Sequence, residues 1–451
     1  KIEAELAEVA ARIRDLLDIL GSHPRRIEVM RGELLKARAA LASPRLTAIE
    51  EAEADQDDES LIEPGQMVVT ITRDGFIKRT PLDVYRAQKR GGRGRAGAGT
   101  RGDDVVTRSF NAHTHQWVLF FSSGGKAFRQ KVWRLPEAAP TAKGRALVNL
   151  LPELGQDSIT AVLPLPLDEE LWDSLHLVFA TLSGNVRRNR LSDFRNVRAA
   201  GLIAMRLDEG DRLIGVATCR ERDDLFLATR LGRCIRFQIT EDTLRVFAGR
   251  DSSGVRGIRL APGDGVVSLS VLRHVEADTE QRAAYLRLAS ARRRAAGMEA
   301  DDEGAEPTVG EPGEPIAEVA LAPERVAELE AAEEFLLTVT SAGFGKRSSA
   351  YEYRATGRGG QGIANIALAR RNGSGVVATF PIHQGDHVML VTDAGQLIRI
   401  RADQVRLTGR HAMGVTLFRL GAGEHVSSVF PVLEEAGDDN GAAEGEGNGD
   451  V

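Results

Sequence analysis

The chain has 451 residues, of which 42% are hydrophobic and 5% aromatic, and its formal net charge is −6. This length is too great for one small domain, and the longest apolar runs are too short to cross a bilayer. No signal peptide is visible, and the net charge taken alone argues against a nucleic-acid partner.

The first segment has the spacing of a coiled-coil helix. Apolar residues recur at alternating intervals of four and three residues: Ile2, Leu6, Val9, Ile13, Leu16 and Leu20. The run Gly21-Ser22-His23-Pro24 ends this helix, and a second amphipathic helix begins near Arg25. We predict a helical segment over residues 1–45 and an acidic linker over residues 46–61. Since the chain starts at Lys1 within a helical pattern, we expect it to be the C-terminal part of a longer protein.

An internal repeat occupies the chain from residue 62 onward. Six times an apolar run precedes Thr or Ser, two further residues, a Gly and then a basic residue. The repeated glycines are Gly75, Gly125, Gly184, Gly232, Gly343 and Gly395. Each copy has the pattern of a β-hairpin, and the period matches one blade of a propeller. We predict a mainly β fold, a six-bladed β-pinwheel (propeller-like) over residues 62–433, preceded by the short coiled-coil segment. An open solenoid of hairpins is the structural alternative.

A glycine-rich basic loop follows the first hairpin. It reads Gln88, Lys89, Arg90, Gly91, Gly92, Arg93 and Gly94, and Arg95 and Arg101 extend its charge. Glycine lets the main chain approach a ligand closely with its N–H groups exposed, so the loop is suited to a phosphate backbone. A loosely RNA-binding Arg/Gly tract is the alternative. The same stretch matches G-x-G-x-x-G, but no strand precedes it and no helix follows, which argues against a dinucleotide site.

Charge is distributed unevenly along the chain. Residues 61–272 carry 32 Lys and Arg against 23 Asp and Glu, and residues 334–430 carry 11 against 6. The predicted blades are therefore basic. Residues 1–60, the insertion at 273–333 and the end of the chain are acidic.

Two segments interrupt or follow the repeats. The insertion over residues 273–333 has helical composition from Thr279 to Ala296 and again from Pro323 to Ala332, with an acidic stretch between them that we expect to be disordered. The tail over residues 434–451 holds seven carboxylates and no Lys or Arg, and we predict an acidic disordered tail.

The order of these parts resembles the A subunit of DNA gyrase. The loop from Gln88 to Gly94 is similar to the family's box, Gln-Arg-Arg-Gly-Gly-Lys-Gly, with Lys89 for Arg and Arg93 for Lys. The resemblance implies a DNA-wrapping C-terminal pinwheel with the box in its first blade, and it covers residues 1 to about 430. The corresponding domain of topoisomerase IV, in which the box is degraded or absent, is the nearest alternative.

The resemblance and the repeat together predict which cations bind DNA. Besides the box, the predicted DNA-binding rim comprises Lys78, Arg79, Arg95, Lys126, Arg129, Arg187, Arg188, Arg233, Arg236, Lys346, Arg347, Arg399 and Arg401. These cations would contact duplex phosphates without reading bases. We expect about half of them to be cross-strand pairs or surface charges instead. The acidic tail is predicted to compete with DNA for this rim.

The sequence offers no catalytic or metal-binding constellation. The four tyrosines, Tyr85, Tyr285, Tyr351 and Tyr353, lie outside the Arg-Tyr-Thr setting of the family's DNA-cleaving nucleophile, so we expect cleavage to belong to residues before Lys1. Cys219 and Cys234 are interpreted as small buried core residues, and the His113/His115 and His383/His387 pairs as turn and surface histidines.

The resemblance also implies partners. These are double-stranded DNA, the gyrase B subunit, which would supply the ATP and Mg²⁺ chemistry, and a second copy of the gyrase A protein in an A2B2 assembly within the bacterial cytoplasm, on the nucleoid. No cofactor and no membrane contact are expected for this chain. A protein-interaction propeller and an RNA-binding module are the functional alternatives.

Overall fold

The computed structural model describes residues 1–42, 58–84, 106–140, 142–198, 200–250, 252–295, 309, 317, 319–373, 375–394 and 396–432. The box and Arg95 therefore lie outside the described residues, as do most of the linker, most of the acidic stretch of the insertion, and the tail. The chain divides into two compact units, Lys1–Leu61 and Ile62–Val451.

The first unit is a pair of helices. Helix α1 spans Ile2–Gly21 and helix α2 spans His23–Leu41. Ser22 ends one helix and begins the next, because its hydroxyl accepts a hydrogen bond from the Arg25 N–H at 3.4 Å and Pro24 occupies the first turn of α2. The predicted helices and the break between them are confirmed. The apolar side chains of the predicted seam are exposed.

Among its described residues, the second unit contains 23 strands and three further helices. In chain order the strands are β1 (Gln66–Thr72), β2 (Phe76–Pro81), β3 (Val106–His113), β4 (Trp117–Ser122), β5 (Lys126–Lys131), β6 (Arg145–Ala146), β7 (Ile159–Pro164), β8 (His176–Thr181), β9 (Asn185–Arg190), β10 (Leu202–Ile203), β11 (Leu213–Cys219), β12 (Asp224–Thr229), β13 (Arg233–Gln238), β14 (Val255–Arg256), β15 (Val266–Leu272), β16 (Phe335–Thr340), β17 (Phe344–Ser349), β18 (Ile363–Ala364), β19 (Val376–Ile382), β20 (His387–Thr392), β21 (Leu397–Arg401), β22 (Val415–Thr416) and β23 (Val426–Val432). A four-residue helix, α3 (Leu147–Leu150), follows β6, and the insertion contributes α4 (Thr279–Ala295) and α5 (Pro323–Ala331).

The repeated Thr/Ser-x-x-Gly motif forms the turn of each hairpin. The Thr72 hydroxyl accepts a hydrogen bond from the Phe76 N–H at 3.1 Å, and Gly75 adopts φ 80°. The same contact joins Asn185 N–H to Thr181 and Gln396 N–H to Thr392. A positive φ is available to glycine at little cost, so this local chemistry explains why the motif recurs in every blade.

The strands form six antiparallel sheets. The sheet orders are β3-β1-β2-β6, β10-β5-β4-β7, β11-β8-β9-β14, β15-β12-β13-β18, β19-β16-β17-β22 and β21-β20-β23. We number the sheets blade one to blade six in this order. The predicted six-bladed, mainly β fold is confirmed.

Each of the first five blades receives its last strand from the chain that follows the next hairpin. We call β6, β10, β14, β18 and β22 the lent strands, because each completes the blade before its own. For example, β18 follows the hairpin of blade five and pairs with β13 of blade four. Among the described residues blade six has three strands. The chain between the hairpin of blade one and β3 lies mostly outside the described residues.

The inner strands of the blades meet around a common axis. Strand β7 contacts β11, β11 contacts β15, β15 contacts β19, β19 contacts β23, and β23 contacts β3. The last blade therefore packs beside the first. Because the inner strands face the axis, the lent strands lie at the opposite, outer edges of the sheets. Apolar side chains of neighbouring blades share their cores, as where Phe121 of blade two packs against Phe179 of blade three at 5.6 Å between ring centroids.

Candidate nucleic-acid interface

An arginine occupies one equivalent position in all six hairpins, on the second strand, seven residues after the Thr or Ser of the turn. The six are Arg79, Arg129, Arg188, Arg236, Arg347 and Arg399. Each lies opposite the first-strand residue that precedes the turn Thr or Ser by three positions. This arginine is therefore a positively charged position that the sequence repeat keeps in all six hairpins.

In four blades this arginine binds the loop that brings in the lent strand. Arg79, Arg188, Arg236 and Arg347 form parallel main-chain bridges to that loop. The side chains add to the contact: Arg347 Nε donates to the Val405 carbonyl at 2.8 Å, and Arg79 Nε donates to the Leu135 carbonyl at 2.8 Å. The repeated arginine therefore links consecutive blades.

The structure corrects the predicted rim at six positions. The side chains that are buried rather than exposed are Lys78, Arg187, Arg188, Arg236, Lys346 and Arg347. A buried cation is tolerated only when its donors are satisfied, and these side chains donate mainly to main-chain carbonyls. Lys346 Nζ, for example, lies 2.7 Å from the Gly409 carbonyl, and burial lowers the pKa of this amine. Such side chains cannot reach phosphates from inside the fold.

The other predicted rim residues that the structure describes differ among themselves. Lys126 and Arg129 are half-buried, and the Arg129 guanidinium lies over the Trp117 ring at 3.9 Å. Arg79 is 14% exposed and pairs with Glu137 at 2.9 Å. Three are exposed: Arg233, Arg399 and Arg401. DNA binding by these residues remains a prediction.

The structure also reveals exposed cations that the sequence argument missed. They lie on or beside the lent strands, at the outer edge of the wheel: Arg145, Arg198, Arg206, Arg256, Arg259, Arg358 and Arg419. Among the residues that the structure describes, none of the seven has a carboxylate within salt-bridge distance. We call these seven the outer-edge arginines. Their charge faces solvent without a protein counterion, as a phosphate-binding surface requires.

A sequence signal for one of them was present. Residues 353–364 read Tyr-Arg-Ala-Thr-Gly-Arg-Gly-Gly-Gln-Gly-Ile-Ala, and residues 85–96, which include the box, read Tyr-Arg-Ala-Gln-Lys-Arg-Gly-Gly-Arg-Gly-Arg-Ala. Part of the box pattern, Arg-Gly-Gly-x-Gly, therefore occurs twice in this chain, and the second copy has Thr356, Gly357 and Gln361 in place of Gln88, Lys89 and Arg93. Arg358 of the second copy occupies the position of Arg90 in the first.

The second copy shows what its glycines do. Gly359 and Gly362 adopt positive φ, and a Cβ on Gly362 would lie 2.2 Å from the Cys234 carbonyl oxygen. The glycines thus allow the loop to approach blade four at Cys234 and the lent strand of blade three, beside which Gly359 N–H donates to the Gly257 carbonyl at 2.7 Å. Arg358 Nη1 donates to the Arg256 carbonyl at 3.1 Å. Close approach of the main chain here serves packing and places an arginine on the outer edge.

Other candidate sites have structural roles. His115 Nε2 lies 2.9 Å from the Ile62 carbonyl. Tyr285, Tyr351 and Tyr353 are buried. Within the described ranges, no three His, Cys, Asp or Glu side chains are grouped to hold a metal ion. No helix in the described part of the chain combines the length and the hydropathy needed to cross a membrane.

Six antiparallel sheets around one axis define the second unit as a β-propeller domain. The profile of one such family, described as DNA gyrase C-terminal domain, beta-propeller, matches residues 66–109, 116–166, 175–220, 223–273, 334–381 and 386–433. The chain belongs to this family. The six matched segments coincide with the six blades, and the insertion has no counterpart in the profile.

Curated relatives are named as the A subunit of DNA gyrase. The chain is 75% identical over 443 residues to that of Granulibacter bethesdensis and 46% identical over 442 residues to that of Rickettsia bellii. Each match covers 98% of this chain and 47% of the relative, so the chain spans about half the length of these proteins.

Solved structures share the fold at low identity. A DNA gyrase A C-terminal domain matches with TM-score 0.54 and 20% identity, covering 82% of this chain and 100% of that one. The C-terminal domain of a DNA topoisomerase IV matches with TM-score 0.57 and 19% identity, covering 82% and 94%. These two likenesses concern the fold alone, whereas the family profile and the curated names both favour gyrase.

Proposed function

We propose that this chain binds duplex DNA along the outer edge of its wheel and bends it, as the wrapping part of the A subunit of DNA gyrase. The observation that carries the proposal is the set of outer-edge arginines, which recur at the lent strands and have no carboxylate partner among the described residues. Cations that repeat along an arc can follow a curved phosphate backbone. One patch could hold DNA but could not bend it.

The contacts would neutralise phosphates without reading bases, so binding would depend strongly on salt and little on sequence. Bending a duplex of 20–30 base pairs by 40–90° costs about 1–6 kcal/mol. That cost requires several cations in succession, which the outer edge offers. The buried cations serve the same function indirectly, because they hold the blades that carry the arc.

The box adds Lys89, Arg90 and Arg93 to this surface in our proposal and holds one end of the bent segment. In the whole enzyme the bend would present a crossing of two DNA segments, always of the same handedness, to the strand-passage gate. ATP-driven strand passage would then introduce negative supercoils. The gyrase B protein would bind ATP and Mg²⁺, and the cleaving tyrosine would belong to another part of the gyrase A protein. The assembly would be an A2B2 complex on the nucleoid, in the bacterial cytoplasm.

Salt-dependent binding tests this function. If six or more cations meet phosphates, the logarithm of the binding constant should fall with the logarithm of salt concentration with a slope of about −5 or steeper. Duplexes of unrelated sequence should bind alike. A slope near −1 would support a protein-interaction propeller instead, and a preference for single-stranded RNA would support the RNA-binding alternative.

A further inference from the structure

The insertion encloses a cleft against blades five and six. Helices α4 and α5 pack on blade five through Tyr285 and Tyr351, whose rings meet edge to face at 5.4 Å. The Tyr351 hydroxyl donates to the Leu329 carbonyl at 2.8 Å. The cleft beside these helices has a volume of about 1060 Å³. It depends on the insertion, since α4 and α5 supply one of its walls.

Arginines outnumber carboxylates in the lining of this cleft. Its cations are Arg292, Arg293, Arg347, Arg401 and Arg406, and its acids are Glu330, Glu333 and Asp403. Arg347 is buried, Arg292 lies 3.3 Å from Glu330, and Arg401 pairs with Asp403. Glu333 accepts a hydrogen bond from the Tyr285 hydroxyl at 2.8 Å, and burial raises the pKa of this carboxyl. The lining therefore keeps a small excess of positive charge, so a ligand that fits the cleft should carry negative charge.

One segment of this chain has that chemistry. Residues 434–451 contain seven carboxylates, no Lys or Arg, and five glycines. Glycine imposes few conformational restrictions on the backbone, which suits a segment that binds along a cleft. Charge complementarity thus favours this segment, which we call the acidic tail, over a neutral or basic partner.

The end of blade six places the acidic tail beside the cleft. Val432 of β23 pairs with His387 of β20, and His387 pairs with Arg401 of β21. Because neighbouring strands are about 4.8 Å apart, the main chain at Val432 lies roughly 10 Å from that at Arg401. Both β21 and β23 are antiparallel to β20, so they run in the same direction. The chain after Arg401 continues to Asp403 and Arg406 in the cleft lining, and the chain after Val432 leaves the sheet at the same end.

We propose that the cleft between α4, α5 and blade six is the docking site of the acidic tail. Only Leu433 separates Val432 from Glu434 and Glu435, so in this proposal the contacts of the tail begin at Arg401 and continue toward Arg292 on α4. A short tether gives an effective concentration of order millimolar, enough to fill a site of modest affinity. If the outer edge binds DNA, docking also sets how much of the tail remains to compete with DNA. That consequence rests on the proposed function, whereas docking itself does not.

Disulfide trapping in the full chain, without DNA, tests docking. One cysteine replaces Gln404 in the cleft (Gln404→Cys) and another replaces Ala436 in the tail (Ala436→Cys). Cys219 and Cys234 are buried and stay out of the reaction. The matched control pairs Ala436→Cys with Glu209→Cys, an exposed position between β10 and β11. We expect the cleft pair to form its disulfide at least tenfold faster than the control pair at low salt, with the advantage lost at high salt.

Charge reversal then tests whether attraction between the cleft arginines and the acidic tail causes the fast disulfide formation. Arg292 and Arg401 are each 57% exposed, so Arg292→Glu with Arg401→Glu should leave the fold intact, which circular dichroism checks. This pair of changes should abolish the fast trapping. Reversal of two exposed arginines elsewhere, Arg212→Glu with Arg220→Glu, should leave it unchanged. Equal trapping at the cleft and control positions would overturn the proposal. So would trapping that survives reversal in the cleft. If the cleft reversal instead weakens DNA binding equally with and without residues 434–451, the cleft binds DNA phosphates and not the tail.

Discussion

Arg236 and Asp224 form an ion pair inside blade four, with 2.7 Å between Arg236 Nη2 and Asp224 Oδ2 and side chains 7% and 1% exposed. Arg236 Nη1 also donates to the Ala350 carbonyl at 2.7 Å. The guanidinium thus joins the hairpin of blade four to the loop that follows the hairpin of blade five. A residue that the sequence argument predicted at the DNA surface is instead part of the connection between blades.

Loss of this arginine should destabilise the wheel. Arg236→Met would leave Asp224 buried with only His274, whose Nδ1 lies 2.8 Å from Asp224 Oδ1. Removing one partner of a buried pair costs about 3–5 kcal/mol, so the free energy of unfolding in urea should fall by that amount. Arg256→Met is the matched control, because Arg256 is exposed and its replacement should change stability by less than about 0.5 kcal/mol. Equal stability of the two variants would refute the structural role of Arg236.

Loss of outer-edge arginines should weaken DNA binding without changing the stability of the wheel. Arg256→Ala with Arg259→Ala should weaken duplex binding and reduce the magnitude of the salt slope by about 0.9 for each lost phosphate contact, while the unfolding free energy stays the same. Titrations across a salt series measure both quantities. Replacement of two exposed arginines on α2, Arg31→Ala with Arg38→Ala, is the control and should leave the slope unchanged. An unchanged slope in the Arg256 and Arg259 variant would remove these residues from the DNA path.

The hairpins were predictable because their chemistry is local. A Thr or Ser hydroxyl that caps the turn and a glycine at positive φ lie three residues apart, so both are visible in one short stretch of sequence. The apolar run before each turn identifies the buried first strand. The count of six blades follows from the repeats alone.

The burial of the cations was not predictable in this way. It depends on loops that arrive from the next blade, far along the chain. Arg236 Nη1, for example, donates to the Ala350 carbonyl, 114 residues away. A basic residue after a turn looks the same in sequence whether such a loop covers it or not. The lent strands were missed for a related reason, since two-residue strands have no periodicity. The partial second copy of the box pattern at residues 353–364 was a readable signal for one outer-edge arginine, Arg358.

Replacing the cations of the box should separate wrapping from cleavage. Lys89, Arg90 and Arg93 concentrate charge on a glycine-rich loop that carries no catalytic group. With all three changed to Ala in the assembled enzyme, we expect negative supercoiling to be lost while DNA cleavage and relaxation persist. Gel assays of plasmid topology measure all three activities. Loss of cleavage in a properly folded variant would contradict the proposed division of roles.

The two cysteines should be inert in the native chain. Both are buried, which confirms their interpretation as core residues, and burial raises the pKa of Cys219 and of Cys234 to about 12. Because only the thiolate reacts, iodoacetamide should leave both unmodified at pH 8 and modify both after unfolding in urea. Reactivity should rise only as the pH approaches the raised pKa. Rapid labelling of the native chain at pH 8 would show that these parts of blades three and four open readily.

A wheel that bends duplex DNA along its outer edge should change the linking number of a closed DNA circle. The most direct test adds the chain to nicked circular DNA, seals the nick with ligase, removes the protein and measures the linking number. A curved path on the wheel should trap a change in linking number that grows with the amount of chain bound and disappears at high salt. The variant with Arg256→Ala and Arg259→Ala should trap less. An unchanged linking number at saturating chain, with binding confirmed in the same sample, would contradict the account.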